Sequence, residues 1–394
     1  YFKKMICKEI PFSLHKNCCV INLPVENRFI TVSSKGAIMN HSFFRIILSI
    51  KEHSKLHISG NFYHKIYLAV SGLLFCFACA YFTDTTLAQT SASISDTGFY
   101  FDTVVTIRLD GTQDETILAE AFAQMARYEA ILSRTREGSD VWNINHSGGR
   151  TVEVHDETAE LLALALEYAA LSDGAFDITI APYIDLWDFQ NNPGNVPSHD
   201  MIAQAGKHIG ISGLHLNGTT VTLDDPDASI DLGGIAKGYI ADRIKEFLLE
   251  KGITSAFINL GGNVLTIGTK PDGQLWNIGI RDPFLTASDI ISIVKIDDQS
   301  VVTSGTYERF FEKNGTVYHH ILDPHTGYPV QNGLKSVTIL SDSSADADAL
   351  STTCFVLGLD KGMELIESLD YAEAMFLTEE KEIHYSSGFP QNKN

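Results

Sequence analysis

The chain holds 394 residues, 44% of them hydrophobic, which is enough for one large domain or two small ones with a buried core. Its formal net charge of −20 is unevenly spread: residues 1–88 carry 10 Lys/Arg against 4 Asp/Glu, and the remainder 19 against 45. So acidic a body argues against nucleic-acid backbone binding. Five of the six cysteines lie at or before Cys79, leaving only Cys354 beyond, so that part can form no internal disulfide.

Residues 1–60 show no coherent pattern and begin with Tyr1; they read as an extension ahead of the true start, with Met39 as a candidate first residue. Residues 61–88 have the layout of an export signal. His64 and Lys65 precede an uncharged run, Ile66 to Phe82, and the small, polar stretch TDTTLAQTSAS follows. The run is short for a membrane span. Thr86-Leu87-Ala88 suits cleavage after Ala88, and Cys79 behind Ala78 is a candidate lipid-attachment residue, although Cys76 departs from the usual signal. These features predict an exported protein on the periplasmic side of the cytoplasmic membrane, with lipid anchoring left open.

No repeat or long linker interrupts residues 96–385, which read as one compact unit. Tyr100 to Leu109 is predicted as a strand from its β-branched residues, and Asp114 to Leu132 as an amphipathic helix. Ser133 to Asn145 reads as a polar loop, Thr151 to Val154 as a strand, and Asp156 to Leu171 as a helix capped by Asp156. Ser172 to Phe189 (SDGAFDITIAPYIDLWDF) reads as a loop whose Phe176, Tyr183, Trp187 and Phe189 either wrap a ligand ring or fill a core. Further on, AFINLGGNVLTIG is a strand, a Gly-Gly-Asn kink and a strand. Strands are expected in Trp276 to Ile280, Ile290 to Ser304, Tyr307 to Phe311, Val317 to Leu322 and Ser336 to Leu340. Ser344 to Leu357 and Lys361 to Leu369 are the closing helices. This order predicts an α+β fold, a mixed and largely antiparallel sheet flanked by helices.

The chain is organised around DLGGIAKGYIAD, Asp231 to Asp242. Alternation at Val221, Leu223, Ile230 and Leu232 changes to helical spacing after Gly233-Gly234, so a strand is expected to turn sharply into a helix. Bare glycines let amides at the helix start face an anion, and Lys237 adds a positive charge one turn in. Alone, Gly-Gly-x-x-Lys also fits a plain turn with a solvated lysine, and it matches neither the P-loop nor the GxGxxG spacing.

Asp348 and Thr352, four apart, put a carboxylate and a hydroxyl on one helix face. Such hard oxygens suit magnesium, with Asp346 a further candidate; a capped helix with a buried threonine is the bland alternative. In HHILDPHTGYPV, His319 or His320 could serve as a general base near neutral pH, or as a structural histidine beside a turn. Zinc is disfavoured because no third ligand lies at metal spacing. A glycine turn with a lysine, a magnesium-type pair, an aromatic loop and a base together suit attack at the phosphorus of a dinucleotide diphosphate.

With these residues in view, the chain resembles the ApbE family of FAD:protein FMN transferases. The motifs run in order through residues 96–380: FDTVVTI, SRTREGSDVWNIN, DGAFDITIAPYIDLW, DLGGIAKGYIAD, INLGGN, GIRDP, VVTSGTYERFF, HHILDPHTGYPV and ADALSTTCFVLG. The resemblance implies a T-fold-like architecture and transfer of FMN from FAD to a Thr or Ser hydroxyl of a target protein, with release of AMP. Implied acceptors are subunits of NADH:quinone reductase or Rnf-type complexes. It also implies that Phe101, Thr103, Thr135, Ala175, Phe176, Asp177, Asp231, Lys237 and Ile321 contact FAD. Gly234 through its carbonyl, Asp348 and Thr352 would hold Mg2+, and His320 would deprotonate the acceptor. Asp102, Phe101 and Thr135 depart from the common pattern, where glycine, methionine and an aromatic are frequent. FAD hydrolysis to FMN and AMP, and non-catalytic FAD binding by a lipoprotein, are the competing readings.

Overall fold

A computed structural model describes residues 92–286 and 288–391, together with the backbone of 12–15, 18–25 and 28–35. The chain divides into two units, residues 1–88 and 89–394. In the first, β1 (Phe12–His15), β2 (Cys18–Val25) and β3 (Arg28–Lys35) pair antiparallel, in a stretch whose sequence shows no coherent pattern. The export signal and the cysteines Cys76 and Cys79 lie outside the described residues. Among those described, no helix is long and apolar enough to cross a membrane.

The second unit opens with a hairpin, β4 (Ser93–Tyr100) and β5 (Thr103–Asp110), where a single strand was expected. Its two-residue loop, Phe101 and Asp102, has φ of 53° and 56°, the backbone of a type I′ turn, and neither residue announces it as Gly would. Helix α1 (Glu115–Leu132) follows, capped by Asp114, and a short α2 (Asp140–Asn145) stands inside the expected loop, capped by Ser139. Strand β6 (Val152–Glu153) leads to α3 (Asp156–Leu171). Its cap position is His155, so Asp156 is the first helical residue instead of the cap. Helices α4 (Ala181–Trp187) and α5 (His199–Ala205) and strands β7 (Leu214–Asn217) and β8 (Thr220–Leu223) come next.

Strand β8 ends well before α6 (Ala236–Glu250), and residues 224–235 are irregular, so the expected direct strand-to-helix turn is a longer loop. Then come β9 (Ala256–Leu260), β10 (Asn263–Ile267), β11 (Trp276–Arg281), β12 (Ile290–Ile296) and β13 (Ser300–Gly305). Hairpin β14 (Phe310–Lys313) and β15 (Thr316–His319) precedes β16 (Leu334–Ser341). Helices α7 (Ser344–Leu357) and α8 (Leu359–Glu367) do not close the chain, because β17 (Ala372–Thr378) and β18 (Ile383–Tyr385) extend the sheet after them.

Eight strands form the main sheet in the order β18-β17-β16-β13-β10-β9-β5-β4, antiparallel at every pairing; among the described residues, a parallel contact survives only as the isolated bridge Ile180 to Ser229. Its central strands are buried on both faces, so neighbours along a strand enter different cores. Leu265, Val302, Ile339 and Phe376 face the helices; Val264, Val301, Leu340 and Met375 face the β11–β12 hairpin. This is why these strands read as apolar runs without alternation. A third cluster joins Tyr183, Trp187 and Ile202 to Phe311 and Leu322, and Trp187 Nε1 donates to the Gly327 carbonyl at 2.8 Å. Tyr183 and Trp187 are therefore core residues that seat the HHILDPHTGYPV loop, and of the four aromatics only Phe176 and Phe189 border the cleft described next.

Candidate active site

Helices α6 and α7 cross at a backbone contact. The Gly238 amide donates to Asp348 Oδ2 at 3.0 Å, and one turn later Asp242 accepts from the amides of Ser344 and Ala345, each at 2.9 Å. The start of α7 is thus capped by a carboxylate from α6, which fixes the direction in which Asp348 projects. Asp348 is almost wholly buried, and Lys237 Nζ sits 3.3 and 3.4 Å from its two oxygens while also donating to the Gly233 carbonyl at 2.9 Å.

Gly234 closes the other side. A β-carbon there would lie 3.1 Å from the Phe176 ring, so the bare glycine is what lets the loop backbone rest so close to that ring, while Thr352 Oγ1, at 3.6 Å, would be in ordinary contact. Gly234, Asp348 and Thr352 border the same cleft; a main-chain carbonyl, a carboxylate and a hydroxyl are hard oxygen donors, a set that would suit a magnesium ion keeping its other positions for water and phosphate. Asp346 does not join them. It faces the Tyr168 phenol, whose pKa is raised by burial first and by this carboxylate second.

The amides near the glycine pair are largely committed within the protein. Gly233 N–H donates to Asp231 Oδ1 at 2.7 Å, and those of Ile235 and Ala236 to the Leu232 carbonyl at 3.1 and 2.8 Å. The expected amide cradle is therefore mostly spent on shaping the loop, and the positive charge bordering the cleft comes from side chains, Lys237 among them with Arg134, Arg136, Arg281 and Arg309.

The thirteen residues that the family resemblance implies for FAD, magnesium and the acceptor proton all border one cleft of about 1170 Å³. That exceeds a drug-sized pocket and leaves room for a dinucleotide. Phe101 stands at the tip of the strained turn, its amide held by Glu129 Oε1 at 2.7 Å, and Thr103 packs where Gly261 has no side chain. Phe176 lies beneath Gly234, edge-on to Tyr168, with its amide bonded to Ser172 Oγ at 2.9 Å. Asp177 borders the cleft too, yet its carboxylate accepts from Thr179 and from the Ile211 amide and so braces the loop. Ala175, Ile321 and Thr135 complete the lining.

The two histidines separate cleanly. His319 Nε2 lies 2.8 Å from the Val330 carbonyl and so donates, which leaves Nδ1 to accept the Ile321 amide at 3.3 Å; both nitrogens are used. His320 borders the cleft, and its buried Nδ1 has no partner among the described residues. Burial, helped by the nearby charges of His319, Arg309 and Lys237, pushes its pKa down to about 4, so the ring is neutral at ordinary pH.

Several residues that shape the cleft escaped the sequence reading. Arg134 Nε lies 3.5 Å from Asp231 Oδ2 and its Nη2 pairs with Asp185. Asn145, noticed only as the end of a polar loop, brackets Ile230 with bonds of 2.7 and 2.9 Å to its amide and carbonyl, just before Asp231. Ser304 reaches the Thr352 hydroxyl from β13 at 3.4 Å. Each lies within a quoted motif, but no local pattern marks a partner so far away in the chain.

Known proteins resemble this chain in sequence and in fold. The ApbE family profile matches residues 101–376. An FAD:protein FMN transferase of Klebsiella pneumoniae is 39% identical over 70% of this chain and 86% of its own, and one of Treponema pallidum 37% over 69% and 79%. Among solved structures, the ApbE protein of Thermotoga maritima superposes with a TM-score of 0.71 at 35% identity, covering 76% of this chain and 98% of its own. The flavin transferase ApbE of Vibrio cholerae gives 0.69 at 27% identity, with the same coverage.

Proposed function

The chain belongs to the ApbE family, and on that premise we propose that it transfers FMN from FAD to a Thr or Ser hydroxyl of a target protein. The observation that supports this reading is the convergence of Gly234, Lys237, Asp348, Thr352 and His320 on one dinucleotide-sized cleft.

In this reaction the acceptor oxygen bonds to the phosphorus of the FMN half, the bond to the bridging oxygen breaks, and AMP departs with the electron pair. Magnesium bound by Asp348, Thr352 and the Gly234 carbonyl would neutralise charge on the diphosphate. Lys237 adds an ammonium beside it, held between Asp348 and the Gly233 carbonyl. Neutral His320 offers a lone pair for the acceptor's proton, and its burial keeps that lone pair free down to low pH. Phe101, Thr103, Thr135, Ala175, Phe176, Asp177, Asp231 and Ile321 line the walls against which the flavin and adenine parts would lie. We further propose export to the periplasmic side, with Cys79 as the candidate anchor, and redox subunits of the NADH:quinone reductase or Rnf type as acceptors.

The test is to incubate the purified protein with FAD, magnesium and such an acceptor and to weigh the acceptor by mass spectrometry. A covalent FMN adduct with one AMP released per adduct is expected. AMP formed without any adduct or acceptor would mean hydrolysis instead, and intact FAD would mean binding alone.

A further inference from the structure

Ser304 sits on β13 at the cleft wall, its Oγ 2.8 Å from Ser351 Oγ and 3.4 Å from Thr352 Oγ1. Proton counting gives this triad a direction. A serine hydroxyl has one proton, and that of Ser351 goes to the Asp348 carbonyl at 2.9 Å. The proton between Ser304 and Ser351 therefore comes from Ser304. Ser304 then has only lone pairs to show Thr352, so Thr352 must be the donor in their contact.

The chain runs from Thr352 to Ser304 to Ser351 to the main chain of Asp348, and it fixes where the Thr352 proton points. A hydroxyl that ligates a cation has to turn a lone pair to the ion and send its proton elsewhere. We propose that Ser304 is a positioning residue that takes this proton and so presents the Thr352 oxygen to a divalent cation. The inference rests on reading Gly234, Asp348 and Thr352 as the oxygen set of that cation. Without Ser304, the Thr352 hydroxyl would turn back on the carbonyl of Asp348, four residues earlier in its own helix, as helical threonines commonly do; Thr353 does this to Ala349 at 2.8 Å.

Calorimetric titration of the full chain with Mg2+ alone, with neither FAD nor acceptor present, tests this. Outer partners of metal ligands typically change affinity on the order of 10–100-fold. Ser304→Ala should weaken Mg2+ binding to that extent, and Ser304→Thr, which keeps the hydroxyl, should restore it. Wild-type affinity in Ser304→Ala while Asp348→Asn abolishes binding would overturn the role of Ser304 and leave the metal site standing. A loss shared equally by Ser304→Thr would also overturn it, since the hydroxyl would then be irrelevant. Unchanged binding in Asp348→Asn would remove the metal reading itself, and the inference with it. If Ser304→Ala does not fold, Ser351→Ala serves instead: it frees the Ser304 proton to turn toward Thr352 and should weaken Mg2+ binding, whereas unaltered affinity would overturn the proposed proton order.

Discussion

Gly238 meets Ser344 so closely that a β-carbon on the glycine would stand 2.1 Å from the serine carbonyl oxygen and 2.7 Å from the Ala345 α-carbon. The obstacle is backbone, which cannot rotate away, so Gly238→Ala must push α6 and α7 apart. Overpacking of this kind costs on the order of 1–3 kcal/mol. The same shift would draw Lys237 and the Gly238 amide away from Asp348. Urea unfolding should show the lost stability, and Mg2+ and FAD titrations a weakened site; a variant as stable as wild type would mean that the helices do not touch here.

Asp348→Asn separates charge from shape. The asparagine oxygen can still accept from Gly238 N–H, so the buried amide keeps a partner, whereas alanine would leave it unpaired at about 1–3 kcal/mol. Loss of the carboxylate charge should lower turnover on the order of 100-fold or more, equivalent to about 2.7 kcal/mol of transition-state stabilisation. The melting temperature should stay near that of wild type. Near-normal kcat with Asp348→Asn would remove this residue from the metal set.

Much of the site could be read from the chain because its parts are local. Asp231 to Asp242 carries the turn, the lysine and the capping aspartate within twelve residues, and Asp348 and Thr352 share one face of α7. What stayed hidden depends on distant segments. Asp242 reads as a helix residue until α7 lies against it, and Asn145 as a loop residue until Ile230 is in its grasp. The β4–β5 turn was missed for another reason: Phe101-Asp102 lacks the glycine that marks a type I′ turn, and the left-handed backbone is held by strand pairing and by Glu129. The late strands β17 and β18 were missed because β17, buried on both faces, reads as a plain apolar run after the last helix.

The depressed pKa of His320 gives a pH dependence with a definite sign. An unfolded histidine protonates below its ordinary value of 6.5, whereas the folded ring resists until about 4. Between these values the unfolded state binds more protons, so the stabilising contribution is full above 6.5 and is lost as pH falls toward 4. His320→Gln should flatten the stability profile across that window, as read by urea midpoints at several pH values. If the ring is also the base, the acid limb of kcat/KM should lie near pH 4 and vanish in the variant. An acid limb near 6.5 would show an ordinary solvated histidine.

The strained tip of the β4–β5 hairpin predicts a substitution that stabilises. Both loop residues hold positive φ, which costs a side chain with a β-carbon and costs glycine nothing; type I′ turns favour glycine at the second position, where Asp102 stands. Asp102→Gly should raise stability on the order of 0.5–1 kcal/mol, the steric gain being offset in part by the freer unfolded chain. Flavin binding should survive, since the Phe101 amide keeps its bond to Glu129 and Phe101 stays in the cleft wall. Asp102→Val places a β-branched residue at the same backbone angle and should cost about 1–2 kcal/mol. It should also weaken FAD binding by shifting Phe101 and Thr103. Urea midpoints and FAD titrations on the pair of variants decide it: were Asp102→Gly less stable than wild type, the tip would owe its shape to the aspartate side chain and not to the pairing of its strands.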